Sequence, residues 1–136
     1  MTGPYRVRLQ LRWGDSDQLG HINNVMYLEY AQEARLRFLG EIGGTAAHSL
    51  GPIVVRRIEV DFERSLHYTA EGIDVEVWVV KVGTSSFTLR HRIRDPQGNV
   101  YSTVDAVAVA VDLEAETSRP IPDDVRAILT ERILDA

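Results

Sequence analysis

The chain contains no cysteine, which removes disulfides, thiolate metal sites and a cysteine nucleophile together and fits a reducing compartment. Lysine is nearly absent: Lys81 is the only one, and arginine carries almost all the positive charge. At a net charge of −5 there is no broadly basic surface to neutralise phosphates, so nucleic acid is not an expected partner. Long apolar runs are missing too. Met1-Thr2-Gly3-Pro4 passes directly into alternating arginine and apolar residues, so neither a signal core nor a membrane partner is expected, and the expected location is cytoplasmic.

What is present is an ordinary globular mixture. With 136 residues, 44% hydrophobic and 26% charged, the chain suits one domain over residues 1–136, burying roughly two-thirds of its unfolded surface. It shows no repeat, linker or low-complexity tract.

Tyr5, Val7, Leu9 and Leu11 alternate with Arg6, Arg8, Gln10 and Arg12, the period-two pattern of a half-buried strand. From Asn24 the period becomes helical, with Tyr27, Ala31, Ala34 and Phe38 on one stripe and Glu29, Gln32, Glu33, Arg35 and Arg37 mostly elsewhere. Asn23 or Asn24 suits the helix start and Gly40 its end. Four more strands are predicted at about 53–62, 73–82, 87–94 and 100–112, with a turn at Asp95-Pro96-Gln97-Gly98-Asn99. After Pro120-Ile121-Pro122 a short helix carries Val125, Ile128, Leu129 and Ile133 on its apolar side.

Strand, long helix, then four strands without intervening helices predicts α+β with a five-stranded antiparallel sheet, because parallel strands need crossover connections. Such a sheet twists enough to wrap one central helix, which is the hotdog arrangement. Its open edges predict a homodimer or homotetramer.

The densest polar cluster, Gly14 to Asn24, lies between the first strand and the long helix. From composition alone it is a turn-rich connection in which Asp, Asn and Gly satisfy backbone groups and cap the helix. The helix start also offers free N–H groups where a thioester oxygen could develop charge, with Asp17 and His21 just upstream. A carboxylate there can attack the carbonyl or deprotonate water, and an imidazole can orient that water.

Asp15-Ser16-Asp17-Gln18-Leu19-Gly20-His21-Ile22-Asn23-Asn24-Val25-Met26-Tyr27 resembles the D-x-D-x-x-G-H-x-N-N-x-x-Y signature of the 4-hydroxybenzoyl-CoA thioesterase-like branch of the hotdog superfamily. Gly83-Thr84-Ser85-Ser86-Phe87 and the Ile121-Pro122 close extend the likeness over nearly the whole chain. The resemblance implies an acyl-CoA thioesterase. Asp17 would be nucleophile or general base, and the Asn24 N–H would polarise the carbonyl. Asp15 would be structural, His21 and Asn23 would orient water, Asp17 or the pantetheine amide, and Tyr27 would pack near the acyl pocket. Thr84, Ser85 and Ser86 would approach a partner's site.

No metal and no cofactor is implied, coenzyme A being part of the substrate. Some relatives carry a basic cluster in that turn where this chain has Thr84-Ser85-Ser86 with Lys81 nearby. An acyl carrier protein, or a phosphate clamp at Arg90 or Arg92, therefore stands beside coenzyme A. Arg90, Arg92 and Arg94 otherwise read as a solvent-facing strand edge. Glu29 and Glu33 are the alternative acids, and a hotdog module that binds a thioester or protein without turnover is the alternative function. His48, His67 and His91 are scattered singly and read as loop or surface residues.

Overall fold

A computed structural model describes residues 3–43 and 50–134; His48 lies outside the described residues. The elements are β1 (Tyr5–Leu9), α1 (Asn24–Gly43), β2 (Ile53–Phe62), β3 (Ile73–Val82), β4 (Ser86–Arg94), β5 (Val100–Asp112), β6 (Thr117–Ser118) and α2 (Asp123–Glu131), with one 3-10 turn at Trp13–Asp15. All strand pairings are antiparallel and the order is β1-β3-β4-β5-β2, with β6 on β5. This is the hotdog fold.

Among the described residues the sheet has six strands, not the five expected. β6 is two exposed polar residues that return after Asp112 through Glu116 at φ 57, too short to carry a period-two pattern. α1 also continues past Gly40 to Gly43. Gly40 is exposed with open space around it, so it lowers helix propensity locally without forcing a stop.

α1 forms because Asn23 caps it, its Oδ1 accepting from the Val25 N–H at 3.0 Å, and because residues 26–41 contain neither proline nor a β-branched side chain. Its stripe of Tyr27, Ala31, Ala34 and Phe38 is buried against β3 and β4 chiefly, as the spacing predicts. Ala34 shares one core with Val75, Val77 and Leu89 of the sheet, its small side chain allowing a close approach of helix and sheet.

Two residues depart from their expected places. Arg35 is buried rather than on the polar face, and His91 is fully buried rather than on the surface. They meet: Arg35 Nη1 lies 3.3 Å from His91 Nε2, while His91 Nδ1 lies 2.9 Å from the Val104 carbonyl. A carbonyl only accepts, so Nδ1 carries the proton and Nε2 accepts from arginine, the neutral tautomer. Burial pushes His91 down to about 4 and lowers Arg35 as well.

The opposite face of the sheet is an ionic lattice. Asp74 and Glu76 of β3 are buried there under Arg8, Arg6 and Arg94. Arg90 grips Asp105 through two contacts of 2.8 Å, and Arg92 lies over the Trp78 ring at 4.9 Å. The arginine stripe is thus occupied by acids and an aromatic ring of its own chain, not laid out as an anion site.

β2 is different. It is a ten-residue edge strand whose residues are exposed on both faces except at Ile53 and Val60, which are half-buried. Val54, Val55, Ile58 and Phe62 are large exposed apolar side chains on it. Arg56, Arg57, Glu59 and Asp61 lie among them, and an exposed edge strand of this length is a template for pairing.

Candidate active site

The loop between β1 and α1 is built from its own backbone. Asp15 N–H donates to Arg12 O at 3.0 Å, closing the 3-10 turn, and the buried Asp15 carboxylate takes the Tyr30 phenol at 2.7 Å and the Arg12 guanidinium at 3.1 Å. Asp15 O accepts from Asn23 N–H at 2.9 Å. Asp15 therefore ties both ends of the loop to the helix, and among the described residues the two acids and His21 do not come together as a group that could hold a metal ion.

Asp17 anchors the tip. Its N–H donates to His21 O at 2.7 Å, its O accepts from Gly20 N–H at 3.1 Å, and Oδ1 accepts from the N–H groups of Leu19 at 2.9 Å and His21 at 3.2 Å. Gly20, at φ 79, supplies the left-handed residue that this turn requires. One carboxylate oxygen is thereby fixed by two backbone donors, leaving Oδ2 without a hydrogen bond among the described residues.

The tip is braced from the β2–β3 connection. Ile22 N–H donates to Leu66 O at 2.7 Å, and His21 bridges to His67, their rings edge to face at 4.7 Å. His67 Nδ1 reaches Gly20 O at 3.3 Å. His67, expected as an isolated loop or surface residue, is exposed but sits against a site residue; nothing in the long stretch of sequence between the two histidines announces that pairing.

Tyr27 completes the wall. Its buried phenol donates to Arg64 O at 3.3 Å and accepts from Leu66 N–H at 3.0 Å, and its ring meets Phe62 edge to face at 5.2 Å. Burial raises its ionisation above the usual phenol value, with the Asp17 charge adding to the shift.

Asp17, His21, Asn23, Asn24 and Tyr27 all line one open cleft of about 510 Å³ at the start of α1, closed on its far side by Phe62 and residues 63–65. Of the first helical N–H groups, Val25 is capped by the Asn23 side chain and Met26 donates to Asn23 O at 2.9 Å. The Asn24 N–H has no such partner among the described residues, leaving a donor at the positive end of the helix. Thr84, Ser85 and Ser86 do not line this cleft. Their turn is held by its own end of the chain, Ser85 O accepting from Ala110 N–H at 2.8 Å and Arg126 donating to the Gly83 and Thr84 carbonyls at 2.8 and 2.9 Å. Glu33 pairs with Arg37 at 2.9 Å and Glu29 approaches Arg12 at 3.6 Å, both exposed on the solvent side of α1.

No described helix is long and apolar enough to cross a membrane. The chain is 31% identical to a thioesterase from Thermus thermophilus solved with coenzyme A and zinc, at TM-score 0.81, covering 93% of this chain and 92% of that one. A protein of Xanthomonas campestris described as "a putative acyl-CoA thioesterase" is 35% identical at TM-score 0.70, over 82% of this chain and 95% of that one. A predicted thioesterase from Bacillus stearothermophilus, 23% identical, shares the fold at TM-score 0.85 over 97% and 98% of the two chains. The family description "Thioesterase-like superfamily" matches residues 11–129, a span that runs from the end of β1 through the cleft and every later strand into α2, and by that match the chain belongs to the thioesterase-like hotdog superfamily.

Proposed function

We propose that the chain hydrolyses an acyl-CoA thioester to the free acid and thiol, as a member of the 4-hydroxybenzoyl-CoA thioesterase-like branch. The observation that carries this reading is the shared cleft of Asp17, with one carboxylate oxygen unengaged, and Asn24, with its N–H unengaged. A carbonyl oxygen hydrogen-bonded to Asn24 N–H gains stabilisation as it becomes negative, and the carbonyl carbon then lies within reach of a carboxylate or of water held by it. Asp17 either adds to the carbon, expelling thiolate and leaving an anhydride for water to cleave, or takes a proton from the attacking water. His21 and Asn23 orient that water, Asp17 or the pantetheine amide, and Tyr27 packs near the acyl group. Coenzyme A enters as part of the substrate, and an acyl carrier protein is the alternative carrier.

The proposed unit is a homodimer, alone or paired into a tetramer. β2 leads from Ile53, two strands from Ser86 through the Val54–Val109 and Val109–Ser86 pairings, to Phe62 at the cleft. Antiparallel pairing of β2 with a second copy's β2 puts the start of one strand beside the end of the other. The Thr84–Ser86 turn then comes to the same end of the joined sheet as the partner's cleft. Supporting this are the exposed apolar side chains of that edge.

The test is thiol release from a panel of short, medium, long and aromatic acyl-CoAs, repeated with Asp17→Asn. A loss of at least about a hundredfold with the oligomer intact is expected. Unchanged release would move the catalytic role to another residue. No release from any thioester would favour the second reading, a binding module, for which the capping of its own turn by Asp17 is the favouring observation.

A further inference from the structure

We infer that Arg64 makes the cleft selective for acyl groups that end in a carboxylate; this rests on the thioesterase reading of the same site. The cleft offers limited apolar surface: Leu19, Ile22, Tyr27 and Phe62 supply it, and beyond Phe62 the far side continues as Glu63-Arg64-Ser65. A long aliphatic chain gains its affinity from apolar walls, and this segment supplies none.

The charges on that segment are not balanced within the cleft. The Glu63 carboxylate is drawn away to β5, where it accepts from Thr103 Oγ1 at 2.9 Å. The neighbouring Arg64 side chain meets no carboxylate among the described residues, although Arg6, Arg8, Arg12, Arg37, Arg90 and Arg94 all do. Its backbone is fixed at both ends, N–H to Tyr101 O at 3.2 Å and O to the Tyr27 phenol at 3.3 Å. The guanidinium therefore springs from a rigid point beside Tyr27.

An anionic acyl tail entering a cleft that already holds Asp17 meets repulsion, and a guanidinium on the far side offsets it. Guanidinium is also the side chain whose fork matches a carboxylate with two parallel hydrogen bonds. Acyl groups of the glutaryl or adipyl kind satisfy both the aromatic wall, through their methylenes, and Arg64, through their free acid.

The experiment compares kcat/KM for glutaryl- and adipyl-CoA with pentanoyl- and hexanoyl-CoA, and the same acyl groups on N-acetylcysteamine, which carries no phosphate. Arg64→Gln is expected to lower the preference for the carboxylated member at least tenfold on both carriers, Arg64→Glu to reverse it, and Arg64→Lys to restore part of it. Binding of the same CoA esters to Asp17→Asn, with and without Arg64→Gln, reads the effect where turnover is lost, so that failure of hydrolysis and failure of selectivity are separate results. Equal ratios in wild type and Arg64→Gln overturn the inference. So does a loss shared by all CoA esters and absent on N-acetylcysteamine, since Arg64 would then be reading the phosphates.

Discussion

The Tyr30 phenol donates a 2.7 Å hydrogen bond to the buried Asp15 carboxylate, and through it the first turns of α1 hold the whole loop that carries Asp17. Desolvation and this bond together raise Tyr30 far above an ordinary phenol, so it stays a donor at every physiological pH. Tyr30→Phe leaves a buried charge short of a partner and is expected to cost about 1–3 kcal/mol, read as a lower urea midpoint at unchanged m-value. No change in midpoint would mean that Arg12 alone satisfies Asp15.

Asp17→Asn and Asp17→Ala separate chemistry from scaffolding. Asparagine keeps an Oδ1 that can accept from Leu19 and His21 N–H, whereas alanine keeps nothing. Both are expected to abolish turnover, and only alanine should also lower stability, by about 1–2 kcal/mol for the lost cap. Equal melting temperatures for the two variants would show that the turn does not need the carboxylate.

The β2 edge gives an independent handle. Ile58 is 42% exposed on the lone chain, so Ile58→Asp should change monomer stability by no more than roughly 0.5 kcal/mol. In a dimer sealed by this strand it buries a charge at the seam. Sedimentation is expected to show monomers, with thiol release down at least about tenfold. A monomeric variant with full activity would mean that each cleft works alone.

Acid stability should depend on His91. Unfolded, the ring titrates near 6.5; folded, its burial lowers this to about 4, with Arg35 opposing the charged form and Asp105 favouring it. Between these values the unfolded chain binds more protons, so the stabilisation is complete above about pH 6.5 and is lost as pH falls towards 4. His91→Gln should flatten that limb relative to wild type when urea midpoints are compared at pH 7 and pH 5. Parallel curves would remove His91 from the account.

Most of the architecture was legible because its signals are local. Alternation located β1, long β-branched runs between turn signals located the later strands, the Tyr27–Phe38 stripe located α1, and the Asp15–Tyr27 segment marked the loop that lines the cleft. His91 could have been read correctly as well: Phe87, Leu89 and Ile93 share its parity, and all three face the core. Arg35 could not, since nothing in its own helix explains a buried cation; the reason is on another strand. His67 beside His21, and Arg64 beside Tyr27, are likewise products of chain reversal, invisible to any local period.

Phe62 is at once the last residue of an exposed edge and a wall of the cleft. Natural variation at this position therefore cannot tune solubility, self-association and ligand choice one at a time. A substitution that hides the sticky margin here also reshapes what the opening admits, so relatives that differ at this position should differ in assembly and in diet together.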